Sequence, residues 1–289
     1  MAHPDRNHRH FGNRPGRSTS PHSSRNSSVS SEFSSPRILF RDDCLVVVDK
    51  PPGMLVHRSR EAPDRGGFLL QWVRDEVGHF VYPVHRLDRN TSGLVIFALS
   101  SEMAARIQAN LSLDETVKAY TTLVRGRSLP EFSSRRPLTD RGSGEKKKAT
   151  SHFHRLKVIG GFSLLAVTIK TGRRHQIRRH LHHLGHQVVG DTTYGKGRIN
   201  RWLRADFGLP RLFLHARFLR FEHPICPSKV EIHSPLPPDL AGFLRRFEES
   251  FPAEDTLLAG EGEFLERLPF GGDISTESQE TGAPQTGLP

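Results

Sequence analysis

Residues 85–94, with the sequence HRLDRNTSGL, place one carboxylate among cations. Asp88 lies between Arg86 and Arg89, and a Thr-Ser-Gly sequence lies near the end of the segment. Nearby positive charge favours the ionised form of an aspartate, whereas burial disfavours it. Asp88 is therefore a candidate for a catalytic carboxylate that stays ionised in a cleft. The alternative is a turn aspartate that accepts backbone N–H bonds.

A second segment, KTGRRHQIRRHLHHLGHQVVGDTTYG at residues 170–195, is rich in arginine and histidine. It predicts a helix from His175 to Leu184, in which residues three or four positions apart share a face. That face could follow a phosphate backbone, could place one guanidinium against a carboxylate, or could be solvated. The cations concerned are Arg173, Arg174, Arg178 and Arg179.

The five histidines of this segment raise the question of a metal site. The zinc-binding arrangement HExxH is absent from the sequence, and no cysteine lies nearby. The nearest acid, Asp191, follows a turn. We therefore predict no metal site and assign the histidines to nucleic-acid contacts and packing.

Lys118 and Tyr120 are two residues apart in KAYTTLVRG, residues 118–126. On a strand, this spacing directs both side chains to one face. Tyr120 could be a core residue with a hydrogen-bonded hydroxyl, or its ring could stack on a base that has left its helix.

Motifs of other enzyme classes are missing from the sequence. HRLD is not the kinase HRD motif, because the glycine-rich loop and DFG are absent. There is no P-loop, no GxSxG and no dinucleotide-binding motif, and no second carboxylate suggests a glycoside hydrolase.

The surrounding elements indicate how these residues are positioned. Asp88 precedes the apolar run GLVIFAL at 93–99, which predicts a buried strand entered by a functional loop. Gly160-Gly161 separates two strand-like runs and predicts a hairpin. Further strands are predicted at 45–48, 118–126, 212–221 and 229–233, and helices at 69–76, 103–111 and 240–247. This mixture of hairpins and helices predicts an α+β fold with a largely antiparallel sheet.

The charge is distributed unevenly over the 289 residues. Of the formal charge of +11, residues 1–37 contribute +4 and residues 254–289 contribute −7, so residues 38–253 carry +14. A basic globular body suggests a polyanionic partner, most simply nucleic acid.

Composition also predicts the domain organisation and the compartment. Residues 1–36 are rich in Ser, Arg and His, and we expect a disordered basic tail there. Residues 37–252 form the predicted catalytic domain, and residues 253–289 a disordered acidic tail. No apolar run approaches the roughly 20 residues of a membrane span. The two cysteines lack metal-type spacing, so free thiols and a cytoplasmic location are expected.

Three segments in order, HRLDRNTSGL, KAYTTLVRG and KTGRRHQIRRHL, resemble the active-site motifs of the RluA family of pseudouridine synthases. KPPGMLVHRS upstream and GDTTYG and RLFLHA downstream extend the resemblance over most of residues 38–235. The resemblance implies the pseudouridine synthase fold, a mixed, largely antiparallel sheet flanked by helices with a central RNA-binding cleft. It also implies isomerisation of a specific uridine in RNA without a cofactor.

The same resemblance implies roles for individual residues. Asp88 would be the catalytic carboxylate, Tyr120 the ring that stacks on the target uracil, and Arg178 the salt-bridge partner of Asp88. Arg86 would fill the gap left by the flipped nucleotide. The other residues expected to contact RNA are Arg89, Lys118, Arg173, Arg174, His175 and Arg179.

Within the family, LVHRS, QWVRDEVG and FGLPRLFLHA resemble the TruC type, which modifies uridine 65 of certain transfer RNAs. A ribosomal-RNA synthase of the same family and a non-catalytic RNA-binding protein with this fold are the alternatives. Two routes remain open for Asp88, namely attack on C1′ and removal of the 2′ proton to give a glycal. No obligate protein partner is inferred.

Overall fold

A computed structural model describes residues 35–58 and 67–256. The strands of this part are β1 (Arg37–Arg41), β2 (Leu45–Lys50), β3 (Tyr82–Pro83), β4 (Ser92–Ala98), β5 (Val117–Arg125), β6 (Glu131–Ser134), β7 (Leu138–Thr139), β8 (Lys146–Lys147), β9 (Ser151–Ile159), β10 (Phe162–Ile169), β11 (Leu214–Glu222), β12 (Lys229–His233) and β13 (Ala253–Thr256). The helices are α1 (Leu69–Val77), α2 (Ser101–Asn110), α3 (Gln176–His183), α4 (Gly197–Phe207) and α5 (Pro238–Ser250).

Eleven of these strands form one mixed sheet, whose main path runs β1-β2-β4-β11-β5-β10-β9-β13. Strands β4 and β11 are parallel, and the other neighbours along this path are antiparallel. The short strands β3, β6 and β12 pair with β4, β9 and β11, while β7 and β8 form a separate pair. The predicted α+β class with a largely antiparallel sheet is confirmed.

The hairpin between β9 and β10 is confirmed at the predicted glycines. Gly160 and Gly161 have φ angles of 53° and 78°. A two-residue type I′ turn requires positive φ at both central positions, which glycine adopts without steric cost. The turn therefore fixes the register in which Phe162 pairs with Ile159.

Helices cover both faces of the central strands. Ala119 of β5 belongs to a core cluster with Leu203 of α4 and Phe243 of α5. The next residue, Tyr120, packs on the opposite face against the cluster that contains Ile177 of α3. Because successive side chains of a strand point to opposite faces, α4 and α5 lie behind the sheet and α3 lies in front of it.

Glycine at position 93 allows β4 to approach β11 directly after the Asp88 loop. Gly93 has a φ of 110°, and a Cβ at this position would lie 2.1 Å from the carbonyl oxygen of Ala216. Any larger residue would push the two parallel strands apart. The loop that carries Asp88 is therefore anchored at its end in the middle of the sheet.

The structure differs from the sequence prediction at α4 and β13. No helix was predicted between 186 and 212, yet Gly197–Phe207 is helical and packs Leu203 into the core. Residues 253–256, which we assigned to the acidic tail, pair with β9, so ordered structure extends past the predicted boundary. The rest of that tail and residues 1–34 of the predicted basic tail lie outside the described residues.

No helix in the part of the chain that the structure describes is long and apolar enough to cross a membrane.

Candidate active site

Asp88 lies on the loop between β3 and β4, and its side chain is 18% exposed. The Asp88 carbonyl accepts a bond from the N–H of Thr91 at 3.1 Å, which closes a turn. The carboxylate is left to point into a cleft between this loop and α3. Asp88 therefore lies in a turn that its backbone carbonyl closes, whereas its side-chain oxygens contact Arg178 and His175.

Lys50 anchors the loop that carries Asp88. Its side chain is completely buried. The ammonium group donates to the carbonyls of Pro51 at 2.8 Å, Met54 at 2.9 Å and Arg89 at 3.1 Å. Burial, followed by the charge of Arg211, lowers the pKa of Lys50 to about 7. Three backbone acceptors compensate for much of the cost of burying this group, and one of them belongs to the residue after Asp88.

Arg178 is shared between two carboxylates. One terminal nitrogen, Nη1, donates to Oδ2 of Asp88 at 2.8 Å. The opposite edge of the guanidinium binds Asp191 in a bidentate manner, with Nε and Nη2 at 2.7 and 2.9 Å from its oxygens. The planar fork of arginine suits such an arrangement, since its donors are fixed relative to one another. Asp191 therefore determines where Arg178 meets Asp88.

Burial and hydrogen bonding have opposite effects on the pKa values of Arg178 and Asp191. Burial alone would lower the pKa of Arg178, but its bonds to Asp191 and then Asp88 outweigh that effect and raise the pKa. Burial would likewise raise the pKa of Asp191, but the bonds from Arg178 and from the N–H groups of Tyr194 and Thr193 lower it. The carboxyl of Asp191 is fully buried and ionised, and it anchors the cation that faces the cleft.

His175 contacts the other oxygen of Asp88. Its Nε2 lies 3.7 Å from Oδ1 of Asp88, and its Nδ1 lies 3.2 Å from the hydroxyl of Tyr194. The residue precedes α3 and has a left-handed backbone with a φ of 53°. Burial lowers the pKa of the imidazole, and this effect exceeds the opposing influence of Asp88. A neutral ring in a strained conformation therefore borders the carboxylate.

Tyr120 of β5 is partly buried against two core clusters. Burial, followed by the negative charge of Asp88, raises the pKa of its phenol. The ring therefore remains neutral and is held rigidly near the carboxylate. Packing against both clusters agrees with the interpretation as a core tyrosine, and stacking of its ring on a base stays a prediction.

A cavity of about 250 Å³ contains Asp88 and Arg178. Four of the predicted RNA-contact residues line it, and their side chains add positive charge or hydrogen-bonding groups to its walls. The remaining wall comes from Leu55, Leu212 and the loop that follows α3. The four residues are Arg86, Arg89, Arg174 and His175.

The other three predicted RNA-contact residues lie elsewhere. Lys118 donates to the carbonyl of Leu111 at 2.9 Å, and burial lowers its pKa to about 8. Arg173 and Arg179 donate to backbone carbonyls outside the cavity, at Lys148 and Thr139. These side chains do not line the cavity, and their contact with RNA stays a prediction.

Sequence reasoning missed three residues that organise the site, namely Lys50, Asp191 and Tyr194. Asp191 was considered only in the question of a metal site, as the acid nearest to the five histidines. Its available signal was the segment GDTTYG, in which the aspartate accepts the N–H groups of Thr193 and Tyr194. Lys50 offered no local signal, since its three acceptors come from two separate loops.

One mixed group of metal-type side chains lies away from the cavity. Ligand atoms of Asp42, Cys44 and His223 lie within 4.8 Å of one another. Nδ1 of His223 accepts the N–H groups of Ile225 and Cys226, so its Nε2 carries the proton and donates to Asp42 at 3.0 Å. Both nitrogens are thereby used in hydrogen bonds, which makes this ring a poor metal ligand.

The family model of RNA pseudouridylate synthases matches residues 44–183. The curated tRNA pseudouridine synthases C of Vibrio vulnificus and Vibrio cholerae are 37% and 38% identical to this chain, and each match covers 73% of this chain and 95% of the relative. The protein of the same name from Haemophilus ducreyi is 39% identical, covering 68% of this chain and 88% of the relative.

The chain belongs to the RNA pseudouridylate synthase family. Synthases of this family isomerise uridine to pseudouridine in RNA, so the chain is an enzyme of that class. The resemblance read from the motifs is confirmed.

Solved structures of other synthases agree with the fold. Human RNA Pseudouridylate Synthase Domain Containing 1 superposes with a TM-score of 0.62 at 24% identity, over 82% of this chain and 97% of that one. Human RNA Pseudouridylate Synthase Domain Containing 4 gives a TM-score of 0.59 at 20% identity, over 73% and 92% of the two chains. The synthase fold is therefore preserved although most side chains differ.

Proposed function

We propose that this synthase acts on transfer RNA and converts uridine 65 to pseudouridine. The observation that carries the proposal is the ion pair between Asp88 and Arg178, set in a cationic cavity beside Tyr120. Support for a transfer-RNA substrate comes from the curated relatives, which are named tRNA pseudouridine synthase C. The position of the uridine follows from the resemblance to the TruC type.

In the proposed reaction, Asp88 is the catalytic carboxylate. Isomerisation breaks the bond between N1 and C1′ of the nucleoside, turns the uracil, and joins C5 to the same C1′. C5 loses a proton and N1 gains one, so the atoms balance. One ionised carboxylate serves either route, attack on C1′ or removal of the 2′ proton. Arg178 holds this carboxylate in place and keeps negative charge favourable there.

The target nucleotide must leave its stack to reach Asp88. Extrusion from a helix costs a few kcal/mol and calls for groups that hold the base and replace it. Tyr120 offers the ring on which uracil stacks, and the exposed side chain of Arg86 at the cavity edge is placed to occupy the vacated position. Arg89 and Arg174 supply charge for the backbone phosphates.

We further propose a cytoplasmic location and activity without a protein partner. The two free thiols, Cys44 and Cys226, support a reducing compartment. If no partner is required, the purified protein alone modifies transfer RNA.

The experiment that tests the proposed function maps pseudouridine in total RNA from cells with and without this protein. We expect loss of pseudouridine at position 65 of transfer RNA in the deletion strain. Restoration by the wild-type chain and not by Asp88→Asn would connect the loss to the cavity. Loss at a ribosomal site, with transfer RNA unchanged, would contradict the substrate assignment.

A further inference from the structure

A second concave surface lies where α4 meets the end of β5. It has a volume of about 500 Å³ and is lined by Arg125, Lys196, Arg198, Ile199 and Trp202, which together we call the Trp202 groove. Its three cations are exposed. Its apolar part is formed by Ile199 and Trp202. The groove thus combines positive charge with an accessible aromatic ring, and the cavity around Asp88 uses none of these residues.

The indole of Trp202 is held rigidly although it is 37% exposed. Its ring centroid lies 5.2 Å from that of Phe207 and 6.3 Å from those of Phe162 and Phe251. A ring fixed by neighbours loses little conformational entropy when a ligand packs against its free side. Such a ring between cations is the arrangement on which nucleic-acid bases stack while their phosphates are neutralised.

The cations of the groove do not serve the stability of α4. The helix has no acidic residue in its first turn, its N-cap is Lys196 without a side-chain capping bond, and Arg198 follows. The macrodipole of a helix favours anions at this end and disfavours cations. Lys196 and Arg198 are therefore unfavourable for the helix itself, and a negatively charged partner that binds there would explain their presence.

We propose that the Trp202 groove binds the part of the RNA substrate that flanks the target uridine, with one base stacked on Trp202. Thr193 lines the Asp88 cavity and Lys196, three positions further along the chain, lines the groove. That length of chain spans at most roughly 11 Å. One RNA molecule therefore reaches both surfaces. This inference rests on the proposed function, because it takes the RNA substrate as the occupant.

Fluorescence of Trp202 tests the stacking directly. The chain has two tryptophans, Trp72 and Trp202, so Trp72→Phe leaves Trp202 as the sole indole emitter. Titration with full-length transfer RNA should quench this emission by about a third or more, since a stacked base contacts the ring. A minimal stem-loop that contains the target uridine but lacks the flanking helix should leave the emission unchanged. Unchanged emission with both RNAs, at concentrations that saturate binding, would overturn the proposal.

Charge reversal tests the cationic side of the groove. Arg198→Glu should raise the KM for transfer RNA by about tenfold and leave kcat within about twofold, because it removes a phosphate contact outside the reacting site. On the minimal stem-loop it should change neither value. The thermal midpoint should stay the same or rise, since a carboxylate suits the first turn of α4.

Arg245→Glu on α5 is the matched control, because it is exposed and changes the net charge equally. Equal effects of the two variants on KM would mean that only the net charge of the protein attracts RNA, and this result would overturn the proposal. A shift of Trp202 emission on deletion of residues 257–289 without RNA would assign the groove to that segment, which also overturns it. If the wild-type protein modified no transfer RNA, the proposed function would fail, and the quenching experiment would still decide the groove.

Discussion

At the scale of single residues, the two carboxylates that bind Arg178 differ in exposure. The carboxylate of Asp88 is partly exposed to the cavity, while that of Asp191 is buried behind Arg178. Asp88→Asn keeps the volume of the side chain and removes the charge. We expect the single-turnover rate of pseudouridine formation to fall by at least about 10³-fold, with RNA affinity within about tenfold of the wild type. Asp75→Asn on α1, an exposed aspartate paired with Arg74, should retain the wild-type rate. Near-normal turnover by Asp88→Asn would remove Asp88 from the chemistry.

Arg178 holds two carboxylates, so its removal has a structural and a catalytic consequence. Arg178→Ala strands the buried charge of Asp191, and we expect the free energy of unfolding to fall by about 3–5 kcal/mol. Turnover should fall severely as well, because Asp88 loses its partner.

A double variant separates these two consequences. Adding Asp191→Asn to Arg178→Ala removes the stranded charge and should restore part of the stability, as measured by denaturant unfolding. Turnover should not return, since Asp88 still lacks its cation. Recovery of both quantities together would mean that Arg178 acts only as a structural residue.

At the scale of elements, α4 positions the loop between α3 and α4 that carries Asp191. Asn200 of α4 is buried; its Oδ1 accepts the N–H of Gly190, and its Nδ2 donates to the carbonyl of Asp191, both at 2.9 Å. A Cβ on Gly195 would lie 2.2 Å from the same carbonyl oxygen. A helix behind the sheet therefore fixes the cation that meets Asp88 in front of it.

Asn200→Leu keeps a similar volume and removes both bonds. We expect a loss of about 2–3 kcal/mol of stability, because two buried backbone groups are left without this partner. The value of kcat should fall by about tenfold with little change in KM, since Arg178 is misplaced and RNA contacts remain. Asn110→Leu at the end of α2, where the amide donates to the carbonyl of Glu222 at the surface, is the control and should leave kcat unchanged. An unchanged kcat in Asn200→Leu would show that the loop holds its position without α4.

At the scale of the whole molecule, buried histidines make stability depend on pH. Among the residues that the structure describes, seven imidazoles have a pKa lowered first by burial, and that of His85 falls to about 4. The unfolded chain therefore binds more protons than the folded chain below pH 6.5, and stability declines as the pH falls. The seven are His57, His85, His152, His175, His180, His183 and His215.

Thermal unfolding at several pH values measures this effect. One histidine that stays neutral in the folded protein lowers the free energy of unfolding by about 2 kcal/mol between pH 6.5 and 5. We expect the thermal midpoint to fall by at least about 4 °C over that interval. Between pH 7 and 8 it should rise further, because Lys50, with a pKa of about 7, then loses its proton in the folded chain and keeps it in the unfolded chain. His85→Gln should reduce the slope. A midpoint that rises on acidification would contradict the burial of these rings.

Local rules account for much of the architecture. The apolar spacing of α1 and α5 and the two glycines between β9 and β10 specify these elements because period and turn geometry depend on near neighbours only. The order of the motifs also indicated Asp88, Tyr120 and Arg178 as parts of one site. The structure joins Arg178 to Asp88 by a hydrogen bond, and Tyr120 lies near enough for the charge of Asp88 to raise its pKa. The exact start of the acidic segment was not available in this way, because β13 forms only by pairing with β9.

The sequence by itself therefore determined the family, the α+β class and the loop that presents Asp88. Tertiary structure alone decided that Asp191 is the bidentate partner of Arg178, that Lys50 anchors the loop, and that α4 closes the network through Asn200. The physical reason is that each of these choices joins groups from different elements. A charge selects its partner by distance and burial after the chain has packed, and these quantities are not encoded in the spacing of neighbouring residues.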